Sequence, residues 1–147
     1  MNITTTRFGA IEVTEDSVLS FPSGIPGFPD LRAAAVISAS DVDIFEDVEG
    51  VENLFYLQCT SDADLAFLCM DPFAAFSEYE IDIDEKELGL EDATEALVLS
   101  IMTVPSDETQ PMTVNLRAPI IANTRTRSAQ QVVLDDPRWS VTQVLGA

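Results

Sequence analysis

Apolar residues in this chain recur in short runs with a spacing of two, and turn-forming residues break the runs every few positions. Such alternation buries one face of an extended strand and is out of phase with a helix. Ile3 and Thr5 begin a strand, Phe8 to Val13 continue as a second after a turn, and Val18 to Phe21 make a third. Ala33 to Ser38 and Leu54 to Cys59 follow, then Leu65 to Met70, which is apolar on both faces and so suits a central position. Ala96 to Val104 is the longest run and is closed by Pro105. Met112 to Ala118 alternates cleanly, Ile120 to Ala122 resumes after Pro119, and Gln130 to Leu134 supplies a final strand. Asp84-Glu85-Lys86-Glu87 has a capping pattern that predicts one short helix, ended by Gly89. About nine or ten short strands with one short helix predict an all-β fold, a small closed or nearly closed antiparallel barrel or sandwich. With no internal repeat or linker, residues 1–147 read as a single domain, with 135–147 as a surface tail pinned by Trp139.

Between the third and fourth strands lies Phe21-Pro22-Ser23-Gly24-Ile25-Pro26-Gly27-Phe28-Pro29. Proline removes backbone donors and glycine permits positive φ, so no regular ladder persists there. Phe21, Ile25 and Phe28 are nevertheless large and apolar, which predicts an ordered loop that folds all three onto the sheet as a plug.

Charge is segregated. Residues 41–110 carry 20 acids and one base, Lys86, whereas residues 111–147 carry two acids and four arginines. The net charge of −19 repels nucleic acid and anionic lipid and draws in basic protein surfaces. Nucleic acid is excluded as a direct ligand because phosphate contacts need clustered Lys and Arg. Adaptation to high salt is a second source of acidity, but it would acidify the C-terminal third as well. Two acidic clusters stand out as partner-docking patches: Asp43, Glu46, Asp47, Glu49 and Glu52 in a loop with Gly50, and Glu78, Glu80, Asp82 and Asp84 leading into Glu85 and Glu87. Solvation of a β surface against edge-to-edge pairing is the competing role for any one of these acids.

Catalysis finds little support. No histidine is present, so imidazole bases, Ser-His-Asp systems and His-ligated zinc are all unavailable. Asp41-Val42-Asp43 and Asp82-Ile83-Asp84 open like calcium loops, but position five is Phe45 or Lys86 and position six is Glu46 or Glu87, where the loop requires a ligand and then Gly. No cofactor or metal is expected. Cys59 and Cys69 sit in apolar runs and are expected to be reduced and buried. The first residues lack a signal-peptide pattern and no run reaches the roughly 20 apolar residues of a membrane span, so a cytoplasmic location is expected.

Several blocks together resemble the flagellar assembly factor family FliW. They are the Phe21–Phe28 loop; Leu65-Ala66-Phe67 with Asp71-Pro72-Phe73 and Phe76-Ser77-Glu78-Tyr79-Glu80; Ile101 to Pro105; Met112 to Ile120; Asn123-Thr124-Arg125-Thr126-Arg127; and Gln131 to Leu134. The resemblance spans about residues 6–134. It implies a small, non-catalytic, cytoplasmic β protein that binds flagellin and the RNA-binding regulator CsrA and so antagonises CsrA's repression of flagellin translation. Such a protein is expected to be a monomer when free, with no membrane partner. A dedicated flagellin chaperone without regulatory role is the alternative. The resemblance assigns no binding residue by position.

Overall fold

The computed structural model describes residues 2–41, 51–82, 84–107 and 109–145. Among these residues are eleven strands: β1 (Asn2–Thr5), β2 (Gly9–Glu12), β3 (Val18–Ser20), β4 (Ala33–Ser38), β5 (Leu54–Cys59), β6 (Ala66–Met70), β7 (Ala96–Thr103), β8 (Thr113–Val114), β9 (Ile120–Asn123), β10 (Ala129–Gln131) and β11 (Gln143–Val144). β1 and β2 form a hairpin, and the other nine make one antiparallel sheet ordered β10-β9-β7-β6-β5-β4-β3, with β8 and β11 branching from β7. β6 is central, as the two apolar faces of the Leu65–Met70 run predicted.

The sheet nearly closes on itself. Its two end strands meet where Ser20 bridges Ser128 in parallel and the Ser20 N–H donates to the Arg127 carbonyl at 2.8 Å. Arg127 has φ +62, the one non-glycine residue with positive φ among those described, and it turns the chain from β9 into β10. Its guanidinium donates to the Glu15 carbonyl at 2.9 Å, which ties the β9–β10 turn to the start of β3. Every strand from β3 through β7, together with β9 and β10, contributes to one cluster: Leu19, Ala34, Leu57, Cys69, Leu99, Ile120 and Ala129. A single cluster fed by both ends of a sheet requires the sheet to curl around it.

The Pro-Gly loop plugs that interior with two of its three hydrophobes. Phe21 and Ile25 are buried, but Phe28 remains 41% exposed, lying edge-on to Phe67 with ring centroids 5.1 Å apart. It stays at the surface beside a tight turn in which Ile25 and Phe28 exchange backbone hydrogen bonds around Pro26 and Gly27 (φ +88). Gly24 (φ +66) is required, because a Cβ there would lie 2.8 Å from the Pro29 carbonyl oxygen.

The helix is displaced from its expected place. Residues 84–88 form a single turn with no helix, and α1 lies earlier, at Pro72–Ala75, where the Asp71 carboxylate accepts the Phe73 N–H and Pro72 occupies the first turn. The Met112–Ala118 alternation yields only the two-residue β8, because Asn115 Oδ1 accepts the N–H groups of Arg117 and Ala118 and bends the chain. In the tail, Trp139 is buried and β11 pairs with β8. Cys59 and Cys69 are both free and buried, and burial pushes the Cys69 thiol well above its ordinary pKa. No helix of the described residues is long and apolar enough to cross a membrane.

Candidate functional site: an acid-rimmed groove

Outside the barrel, a strap of residues 79–82 and 84–90 crosses the face of β9 and is held at both ends. At its start, Tyr79 is buried, its hydroxyl donates to the Leu116 carbonyl at 2.7 Å, and its ring meets Trp139 at 4.9 Å in a T-shaped contact. Burial raises the Tyr79 pKa to about 12, so the phenol stays a donor at neutral pH. At the far end Asn123, fully buried on β9, donates through Nδ2 to the carbonyls of Leu88 and Gly89 at 3.3 and 3.1 Å. Its Oδ1 accepts the N–H groups of Arg125 and Thr126, and Arg125 adds a bond to the Gly89 carbonyl and an ion pair with Glu95 at 2.9 Å. Glu95 is held below the usual carboxylate range, chiefly by the Glu91 backbone N–H.

Asn123 is thus the clasp of the strap. Replacing it with Ala removes four hydrogen bonds and leaves the Leu88 carbonyl without this donor. We expect a loss of about 1–3 kcal/mol for each buried polar group stranded, measured as a lowered midpoint of chemical denaturation.

Between its fixed ends the strap presents acids. Glu80, Asp82, Asp84 and Glu87 line a groove of about 680 Å³ whose floor includes Ile121, Val132, Leu134 and Trp139. Asp135 and Asp136 line it too, supplied by a part of the chain that composition marks as basic. Arg138 is the one base lining it among the described residues. It pairs with Asp136 at 2.8 Å, lies 3.9 Å from Glu80 across the groove, and stacks over the Trp139 ring at 4.7 Å. Hydrogen bonding to Arg138 lowers the Asp136 pKa, and the pairing raises that of Arg138. The groove therefore combines apolar lining residues with an acid-rich rim, a surface complementary in charge and polarity to a cationic, partly apolar segment.

Of the acids singled out from sequence, Glu80, Asp82 and Asp84 converge on this groove. Asp84 has a structural share, since its carboxylate accepts the Lys86 and Glu87 N–H groups at 3.1 Å each. Glu78 is exposed just before the strap, and Glu52 is exposed in a 3-10 turn, Val51–Asn53, outside the groove lining. Asp43, Glu46, Asp47 and Glu49 lie outside the described residues. Sequence reasoning missed Asp135, Asp136, Arg138 and the floor, because their partners are some fifty positions away. The one local signal was an apolar Val132-Val133-Leu134 run abutting Asp135-Asp136.

The chain as a whole has known relatives. The sequence model of the FliW protein matches residues 2–145. The chain belongs to the FliW family. It is 35% identical over 143 residues to the flagellar assembly factor FliW of Thermosipho africanus, covering 95% of this chain and 92% of that one. It is 36% identical over 148 residues to the flagellar assembly factor FliW of Desulfitobacterium hafniense, covering 99% and 91%. The fold is similar to a crystal structure of the flagellar assembly factor FliW, with a TM-score of 0.79 at 28% identity over 98% of this chain and 96% of the other. FliW relatives are named for flagellar assembly, so the chain's broad role is that of a flagellar assembly factor.

Proposed function

We propose that this FliW-family chain is a cytoplasmic, non-catalytic regulator of flagellum biogenesis. It binds CsrA, antagonises CsrA's repression of flagellin translation, and binds flagellin in competition, so that flagellin output follows demand. The observation that carries this reading is the acid-rimmed apolar groove on a chain of net charge −19. A basic RNA-binding protein is the class of partner such a surface steers toward itself. Once docked, the acidic chain repels incoming RNA phosphates over about one Debye length, ~8 Å at physiological salt. The same field argues against direct binding of nucleic acid or anionic membrane, and self-repulsion favours a monomer when free.

The test is a repressed flagellin leader RNA held by CsrA, to which the protein is added. Release of the RNA, reversed by flagellin, is the expected result. Indifference of the CsrA–RNA complex, with flagellin still bound, would replace the regulator with a dedicated flagellin chaperone.

A further inference from the structure

Past the bridge from Ser128 to Ser20, the outer edge of β10 and of residues 132–134 has no strand beside it among the described residues. The chain keeps its register past Gln131, against the segment that precedes β9, and turns alternate backbone groups inward: the Val132 N–H donates to the Pro119 carbonyl at 2.9 Å and the Leu134 N–H to the Arg117 carbonyl at 2.7 Å. The N–H and C=O groups of Gln131 and Val133 therefore point outward, and neither residue's backbone has a hydrogen-bond partner among the described residues. Soluble β proteins usually blunt such an edge with a lysine, a proline, a bulge or an inward charge. Residues 129–134, Ala-Gln-Gln-Val-Val-Leu, contain no charge and no proline, and Val133 is 66% exposed.

Space exists on both sides of this edge. The acidic groove borders it on one side. On the other, a hollow of about 380 Å³ separates Gln130 and Gln131 from the loop carrying Gly24 and Pro26. An added strand sends successive side chains to opposite faces, and the edge has room for both sets.

We propose that an extended cationic segment of a protein partner adds to β10 as a further strand. Its backbone pairs with Gln131 and Val133, and its basic side chains face Glu80, Asp82 and Glu87. The proposal rests on the reading that the partner is a basic protein, and charge selects this occupant over a second copy, whose own acidic rim would meet this one.

The probe is an end-blocked hexapeptide of alternating lysine and valine, compared with its fully N-methylated analogue. The analogue keeps the charge and side chains but lacks the backbone donors. The parent peptide is expected to slow hydrogen exchange at the Gln131 and Val133 amides by about tenfold or more, and the analogue to leave them unchanged. Val133→Pro is expected to weaken the parent peptide by about tenfold or more at unchanged melting temperature, because that N–H bonds nothing in the free chain. Equal binding of the two peptides, or protection confined to other amides, would overturn strand addition in favour of simple charge attraction. If Val133→Pro fails to fold, the peptide pair on the unaltered protein still decides. A dimer in sedimentation that the peptide cannot dissolve would make a second copy the occupant and overturn the proposal. CsrA is titrated in parallel. Undiminished CsrA binding without Gln131 and Val133 protection overturns the edge alone, whereas absence of CsrA binding overturns the regulatory reading.

Discussion

Changing Glu80, Asp82 and Glu87 together to lysine is expected to slow association with CsrA by ~10- to 10³-fold at low salt, the range over which electrostatic steering acts. These three acids line the groove, and all three are exposed. Asp84 is left in place because it holds the Lys86 and Glu87 N–H groups, so its loss would confound charge with folding. The remaining changes are at surface positions, where each typically alters stability by no more than about 0.5 kcal/mol. Stopped-flow mixing across a salt series reads the result directly. The wild-type rate should fall steeply with ionic strength, and the triple variant's rate should start low and stay nearly flat. A variant that associates as fast as wild type would move the contact away from the groove, toward the acids Asp43, Glu46, Asp47 and Glu49.

The second large effect concerns the plug. Phe21 is fully buried in the barrel cluster with Leu31, Ala34 and Leu57, so Phe21→Ala is expected to cost ~3–5 kcal/mol. Phe28 retains 41% of its exposure and its principal contact is the Phe67 edge, so Phe28→Ala is expected to cost about 0.5–1.5 kcal/mol, the worth of an aromatic pair. Denaturant titration of the two variants under one set of conditions separates them. Comparable losses would show that Phe28 is as deeply packed as its neighbour. A Phe28→Ala variant of near wild-type stability that no longer binds flagellin would instead make Phe28 an exposed anchor.

The loop shows where local reading stops. Phe21, Ile25 and Phe28 have the composition of a plug, and two of them are one. The third rests at the surface against the ring of Phe67, a contact between distant segments to which hydrophobicity along the chain is blind. The strap repeats the lesson. Asp84, Glu87 and Gly89 carry the marks of a capped helix, and the cap forms, since Asp84 accepts two backbone N–H groups. Helix does not propagate, because the Leu88 and Gly89 carbonyls are engaged by Asn123 and Arg125 and a single turn is too short to stabilise itself.

Ten of the eleven strands among the described residues, the central place of β6 and the burial of both cysteines were all legible in the residues themselves. Each depends on period or composition, which the chain carries before it folds. The near-closure at Ser20 and Ser128, the groove and the bare edge of β10 were decided only in three dimensions. Each joins segments far apart in the chain: β3 with the turn after β9, and the strap with Val132, Asp136 and Trp139. Charge and apolarity along the sequence say which groups seek partners, but the pairing of distant strands chooses which of those groups meet.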